Sequence, residues 1–290
     1  MNAIDSITPS RQVKITADST CDLSDAVLNK YGISLIPLYV TLGDKSYRDK
    51  IEVSPGDLAA YVEQTGKLPK TSAVTVKDYL DVFTPYQLAG RSVIHFTIGK
   101  SMSTCYQNAV CAAKKLGNVS VVDSQNLSTG IGHLAVHAAK LAAMGLDADR
   151  ILRSVTKLIP KVETSFVIDT LTYLYKGGRC SAVAALGANL FSLKPCIEVQ
   201  NGAMKVGKKY RGSLEKCLLA YTNDRLKGRS DLDLSRLFVT HSLLPPHLAE
   251  TVIKQIRKLA PFEEIIETET NSTVSTHCGP GTLGIVCLRK

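Results

Sequence analysis

The sequence predicts an α/β protein of two domains: an N-terminal α/β/α domain built on a parallel sheet, then a C-terminal two-layer α/β domain with a mixed sheet. Three observations carry this. Residues 13–144 alternate short apolar runs with longer segments of helical period, the pattern of right-handed strand–helix–strand crossovers. Asn201-Gly202 lies between Ile197-Glu198-Val199 and Met204-Lys205-Val206, a strong signal for a tight antiparallel hairpin in the second half. The chain has 290 residues, 44% of them apolar, more than one ordinary domain needs for its core. The boundary is placed at 160/161, giving domains 1–160 and 161–290: Gly145-Leu146-Asp147-Ala148 interrupts a long helical pattern, and Pro160 stops the next one.

In order, Val13 to Thr16 reads as a strand, Leu23 to Lys30 as a helix and Ser34 to Leu42 as one strand. Ser54-Pro55-Gly56-Asp57 opens a helix, with Ser54 as N-cap and Pro55 at the first helical position. Lys77 to Leu88, Thr104 to Leu116 and Leu127 to Met144 read as helices, and Ser92 to Thr97 and Val119 to Val122 as strands between them. In the second half, Phe166 to Ile168, Leu237 to His241, Glu264 to Glu269 and Leu283 to Leu288 join the hairpin as strands. Leu171 to Lys176, Ala182 to Phe191, Leu214 to Leu226 and His247 to Leu259 are the covering helices.

Composition excludes several classes of function. The eight cysteines follow no metal-ligand or paired spacing, which fits a reduced, cytoplasmic protein. Met1 to Gln12 lacks the apolar core of a secretory signal, and no stretch approaches a membrane span. The net charge of +9 is scattered, with modest clusters at Lys176/Arg179, Lys205/Lys208/Lys209/Arg211 and Lys254/Arg257/Lys258. No aromatic residues interleave with them as in single-stranded nucleic-acid sites, so no nucleic-acid partner is expected. No metal cluster, phosphate-loop lysine, dinucleotide glycine fingerprint or nucleophile elbow appears, and no cofactor is expected.

The chemistry on offer is neutral hydrogen bonding at strand ends: Asp18-Ser19-Thr20, Thr71-Ser72, Ser101 to Thr104, Asp123-Ser124 and Ser128-Thr129-Gly130. In an open α/β sheet such segments converge on one ligand crevice, and they suit an anion or a polar head group. Asp18, Asp22 and Asp123 read as caps of the helices that follow, rather than as a general-base or metal set. His277 precedes Gly279-Pro280-Gly281, whose N–H groups are expected to form an anion nest. Cys278 is the alternative nucleophile beside it. If Thr276 to Cys278 is extended, however, neighbouring side chains diverge and Cys278 is a small buried hydrophobe. Lys176-Gly177-Gly178-Arg179 combines a helix stop with cations that serve either the helix dipole or a basic rim.

Five ordered segments resemble the DegV family of bacterial fatty-acid-binding proteins. Asp18-Ser19-Thr20-Cys21-Asp22-Leu23 looks like its D-S-x-x-D-L start and Pro69-Lys70-Thr71-Ser72 its P-x-T-S segment. Met102-Ser103-Thr104-Cys105-Tyr106 is similar to L-S-G-T-Y, Leu174 to Arg179 to L-x-K-G-G-R, and His277 to Gly284 to H-x-G-P-G-x-L-G. Ala73-Val74 stands where the family usually has Q-P, and Thr104-Cys105 where it has G-T. The resemblance implies a DegV-like two-domain fold with a long-chain fatty acid in a buried tunnel between the domains. Its carboxyl would be held by Thr71, Ser72, Ser103 and His277, with Arg179 at the rim. It also implies that a separate fatty acid kinase acts on the bound ligand, making acyl phosphate for phospholipid synthesis, with no catalytic group in this chain. Transient contact with a membrane surface fits that role. Burying a sixteen-carbon chain contributes on the order of 11 kcal/mol gross, enough for tight binding after association costs. The competing class is a small-molecule acyl transferase or hydrolase that uses Ser103 or Cys278 as nucleophile.

Overall fold

The computed structural model describes residues 13–180 and 193–290. The helix expected over Ala182 to Phe191 and the polar start Met1 to Gln12 lie outside the described residues.

β1 (Val13–Asp18) runs through a single 3-10 turn into α1 (Asp25–Tyr31), which starts where the Ser24 hydroxyl accepts the Val27 N–H at 3.4 Å. β2 (Ser34–Ile36), β6 (Ser92–Thr97) and β7 (Val119–Asp123) join β1 in a four-stranded parallel sheet ordered β2-β1-β6-β7. On one face, α3 (Val76–Leu88) and α4 (Cys105–Ala113) pack Tyr79, Phe83, Ala109 and Ala112 against Ile36 and Val93. On the other, α1 and α5 (Thr129–Ala143) pack Val27, Ile131, Leu134 and Ala135 against Ile15, Ala17, Ile94 and Phe96. α6 (Ala148–Leu158) adds Ile151 and Val155 to the same core. Local chemistry fixes the starts of two helices. Thr75 and Asp78 form a capping box at α3, and Ser54 and Asp57 form one at α2 (Pro55–Thr65).

The expected single strand over Ser34 to Leu42 is broken. Pro37 has no N–H to give a ladder, and the Leu38 N–H turns to the Ser19 hydroxyl at 3.1 Å. β3 (Tyr39–Leu42) then begins a separate antiparallel sheet with β4 (Lys45–Arg48) and β5 (Lys70–Ser72), ordered β4-β3-β5. Thr71-Ser72 therefore stands inside a short edge strand rather than after one.

The second large sheet is mixed. It comprises β8 (Val162–Val167), β9 (Leu193–Gln200), β10 (Ala203–Arg211), β11 (Leu232–Ser242), β12 (Ile265–Glu269) and β13 (Thr282–Arg289), ordered β10-β9-β8-β13-β11-β12. Every neighbouring pair is antiparallel except β11 with β12. The β9–β10 hairpin turns on Asn201 and Gly202 with φ of 51° and 78°, the left-handed pair that a tight hairpin needs. α8 (Leu214–Leu226) and α9 (Pro246–Leu259) cover one face, with Leu218, Tyr221, Leu248 and Val252 against Val239, Leu283 and Ile285.

On the opposite face, Phe238, Val286 and Leu288 join the core around α5. That helix is therefore shared by both sheets, and it is buried all round from Thr129 to Val136. The rest of this face borders a cavity. α7 (Thr172–Gly177) follows β8, and α10 (Ser272–Cys278) lies between β12 and β13. Among the described residues no helix is long and apolar enough to cross a membrane.

Candidate functional site

A cavity of about 440 Å³ lies between the parallel and mixed sheets, a volume typical of small-molecule sites. Thr71, Ser72, Ser103, Arg179 and His277, the five residues singled out from the sequence, all line it. They arrive from four separate places: β5, which carries both Thr71 and Ser72, the turn before α4, the end of α7 and the last turn of α10. Ile98, Met102, Leu127, Phe166, Leu174, Met204 and Val286 supply the cavity's apolar surface, and buried hydroxyl residues, Thr20, Ser128, Thr164 and Thr240 among them, line it as well.

His277 is the centre of the polar end. Its Nε2 lies 2.8 Å from Thr71 Oγ1, while Nδ1 is buried without a partner among the described residues. Burial, helped by the nearby Arg179 charge, pulls its pKa down to about 4, so the ring is neutral near pH 7. The tautomer protonated on Nε2 leaves no buried N–H unpaired: the ring donates to Thr71, and the Thr71 hydroxyl proton is free for a ligand oxygen. Gly177 makes this ring position attainable, because a Cβ there would stand 2.4 Å from His277 Nδ1. The Lys176 to Arg179 segment is thus a helix stop, with Gly178 in the left-handed cap conformation, and also the backing of the histidine. Arg179 is exposed and donates to the Gly177 carbonyl at 2.8 Å.

Ser103 is half-buried. Its hydroxyl accepts the Cys105 N–H at 3.2 Å and donates to the Cys105 thiol at 3.1 Å. Burial pushes that thiol up to about 12, so it stays protonated and is no base for Ser103. Ser72 is exposed at the edge of β5.

Three expectations are corrected at this site. Thr276 to Cys278 is not extended but is the end of α10, a helix anchored by Asn271 and Ser272: the Asn271 N–H meets Asp22 at 2.8 Å, and the Ser272 hydroxyl meets the Val53 carbonyl at 2.9 Å. Cys278 is buried, and its thiol is pushed up to about 12 by desolvation, which leaves no thiolate for attack. The Gly-Pro-Gly turn is no anion nest, because the Gly279 N–H caps α10 on Ser275 and the Gly281 N–H is taken by Ser242. The three aspartates are not helix caps either. Asp18 accepts from Tyr79 Oη, Ile98 N and His95 Nε2, Asp22 from Ser128 Oγ and Asn271 N, and Asp123 from Lys100 N and Gln125 N.

Sequence reasoning missed Lys100 and Gln107 at the mouth, and Phe166 and Met204 in the walls. The first two had a signal: they flank the hydroxyl segment 101–104, one just before it and one a turn beyond. The walls had none, because Phe166 and Met204 come together only through the β8–β9–β10 pairing. Ser128 also lines the cavity. It holds φ 52° and ψ −145°, a strained conformation for a residue with a side chain, with its hydroxyl fixed on Asp22 at 2.6 Å. Among the described residues no group of His, Cys, Asp or Glu is arranged to hold a metal.

Residues 12–290 match the family model described as "Uncharacterised protein, DegV family". The chain belongs to the DegV family. A DegV domain-containing protein of Clostridium acetobutylicum is 31% identical over 284 residues, 96% of this chain and 99% of that one. Among solved structures, a DegV lipid binding protein of Thermotoga maritima superposes with a TM-score of 0.85 at 26% identity, covering 96% of this chain and 98% of that one. A DegV family protein of Thermus thermophilus, described for its fatty acid binding, has a TM-score of 0.85 at 27% identity, over 96% of this chain and 100% of that one. All five DegV-like segments of the sequence contribute lining residues to the one cavity: Thr20, Thr71, Ser103, Arg179 and His277 are one from each.

Proposed function

We propose that this DegV family member binds a long-chain fatty acid in the tunnel between its sheets and presents the carboxyl to a separate fatty acid kinase, which forms acyl phosphate for phospholipid synthesis. The observation that carries the reading is the mixed lining of the cavity. Thr71, Ser103 and His277 share it with the exposed cations Lys100 and Arg179, and Met102, Leu127, Phe166, Leu174 and Val286 supply buried apolar surface. A carboxylate buried without donors would cost several kcal/mol; the Thr71 and Ser103 hydroxyls beside Arg179 remove that cost without a metal or other cofactor. The fatty acid binding described for the Thermus thermophilus relative supports the ligand class. The proposal includes a division of the chain at 160/161 with the ligand between the two parts, a cytoplasmic setting, and transient contact with a membrane surface from which the fatty acid is taken. In this reading the chain serves as a carrier: among the described residues the Ser103 hydroxyl is bonded to Cys105 and the Cys278 thiol is held protonated by burial, which does not favour the transferase or hydrolase alternative.

Native mass spectrometry of freshly purified protein is expected to find a co-purified long-chain fatty acid. After delipidation, Ser103→Ala and Thr71→Val should each weaken rebinding by about 1–3 kcal/mol. With a fatty acid kinase and ATP, loaded protein should yield acyl phosphate, more slowly as salt screens the exposed charges around the mouth. Protein that purifies empty and takes up no fatty acid removes the ligand assignment; protein that binds fatty acid but yields no acyl phosphate with the kinase and ATP removes the kinase.

A further inference from the structure

A tunnel for a plain hydrocarbon needs no spare donors, yet buried hydroxyls on this cavity, those of Thr20 and Thr164 among them, have no hydrogen-bond partner among the described residues. Valine has the same shape as threonine and would line the wall without an unpaired hydroxyl, which opposes folding when buried.

Register places Thr164 far from the carboxyl end. On the cavity face of the mixed sheet, β13 runs inward from Thr282, just after the helix that carries His277, through Gly284 to Val286. Gly284 pairs with Phe166, and Val286 pairs with Thr164. Four strand residues span about 13 Å, so Thr164 lies that far along the floor from the Thr282 level. α5 closes over it through Gly130, where a Cβ would stand 2.6 Å from Thr164 Oγ1. Rotation about χ1 exchanges the threonine methyl and hydroxyl, so the group on the wall can turn toward a ligand that offers a partner. The neighbouring Thr240 hydroxyl, by contrast, is already shared with Thr129 at 2.7 Å and Thr268 at 3.1 Å.

We infer that the preferred ligand is an oxygenated fatty acid, a chain carrying a hydroxyl or keto group well beyond its carboxyl, which Thr164 meets at the inner end of the cavity. This rests on the fatty-acid reading above and narrows it.

The test uses delipidated full-length protein and three probes: stearic acid, a stearic acid hydroxylated beyond mid-chain, and one hydroxylated beside the carboxyl. Wild type should prefer the distal-hydroxyl acid to stearic acid by roughly fivefold or more, with no such gain for the carboxyl-adjacent isomer. Thr164→Val should erase the preference while holding stearic acid at least as tightly and melting no lower. A distal hydroxyl that weakens wild-type binding, or a preference that survives in Thr164→Val, overturns the inference and leaves fatty-acid binding standing. If none of the three acids binds, the fatty-acid reading itself falls.

Discussion

At the end of β1, Asp18 gathers the Tyr79 hydroxyl at 2.7 Å, the Ile98 N–H at 2.9 Å and the His95 ring at 3.2 Å, and His95 in turn meets Thr16 at 2.9 Å. Asp22 and Ser19 extend this network to Asn271, at the start of α10, and to Asp49. Every side chain in this cluster apart from that of Ile98 is buried. At the cavity, by contrast, Thr71 meets His277 and the Ser101 hydroxyl meets the Gly202 carbonyl, while Ser72 and Arg179 are exposed. The first cluster spends its hydrogen bonds on tying the parallel sheet to α3 and to the start of α10. The second keeps the Thr71 hydroxyl proton and further N–H groups of Arg179 available, which is what a ligand site requires. Hydroxyl-rich strand ends are therefore not equivalent, and burial together with partner count separates tether from site.

The largest effect that sharpens this contrast is expected from Asp18→Ala. It orphans three buried groups at once and should cost about 3–5 kcal/mol in denaturant unfolding. Ser103→Ala, at the mouth, should move stability by less than about 0.5 kcal/mol. A loss below about 1 kcal/mol for Asp18→Ala would mean that the β1 cluster is not the tether described.

Next in size is Gly177→Ala. The backbone there tolerates a side chain, but the added Cβ would occupy the position of His277 Nδ1, so the ring must leave Thr71. Overpacking of this kind costs about 1–3 kcal/mol, and fatty-acid affinity should fall by roughly tenfold. Removing the ring as well, in Gly177→Ala/His277→Ala, should restore most of the stability but not the affinity. Equal stability losses in the single and double variants would show that the strain lies elsewhere than on the histidine.

The same contrast explains what was legible in the sequence. The hairpin at Asn201-Gly202, the Ser54 N-cap with Pro55 after it and the strand–helix alternation are local chemistry, and they appear where expected. The residue types of the site were legible too, because segments 71–72, 101–104 and 277–284 carry unusual hydroxyl and glycine content. What sequence did not reveal is which groups would find partners. Asp18 and Asp22 looked like caps because their partners Tyr79, Ser128 and Asn271 lie 61, 106 and 249 positions away. Val274 to Thr276 carries two β-branched residues and looked extended; long-range anchoring of Asn271 and Ser272 overrides that preference and makes a helix. The three-stranded sheet went unseen because β4 and β5 are short, polar and mostly exposed.

The smallest expected effect is a change in the acid side of the stability profile, which separates His277 from the histidines of the core. Burial, then the Arg179 charge, lowers the His277 pKa to about 4, against about 6.5 for an unfolded histidine. Between those values the unfolded chain takes up a proton that the folded ring refuses, so this residue's contribution is intact above pH 6.5 and is lost as pH falls toward 4. His133, packed on Phe238 within the shared core, does the same down to about 3, by burial. Asp22 and Asp49 work in the opposite direction: desolvation raises both, so the folded state gains protons first and is favoured by acid. The wild-type profile mixes these opposing contributions, and only a difference isolates the mouth. His277→Gln keeps a hydrogen-bonding group beside Thr71 and removes the titration. Its melting temperature should therefore fall less than that of wild type between pH 6.5 and 4, with the two curves parallel above that range. Parallel curves throughout would mean that His277 titrates as it does in water, and that the neutral imidazole assigned to the cavity mouth is wrong.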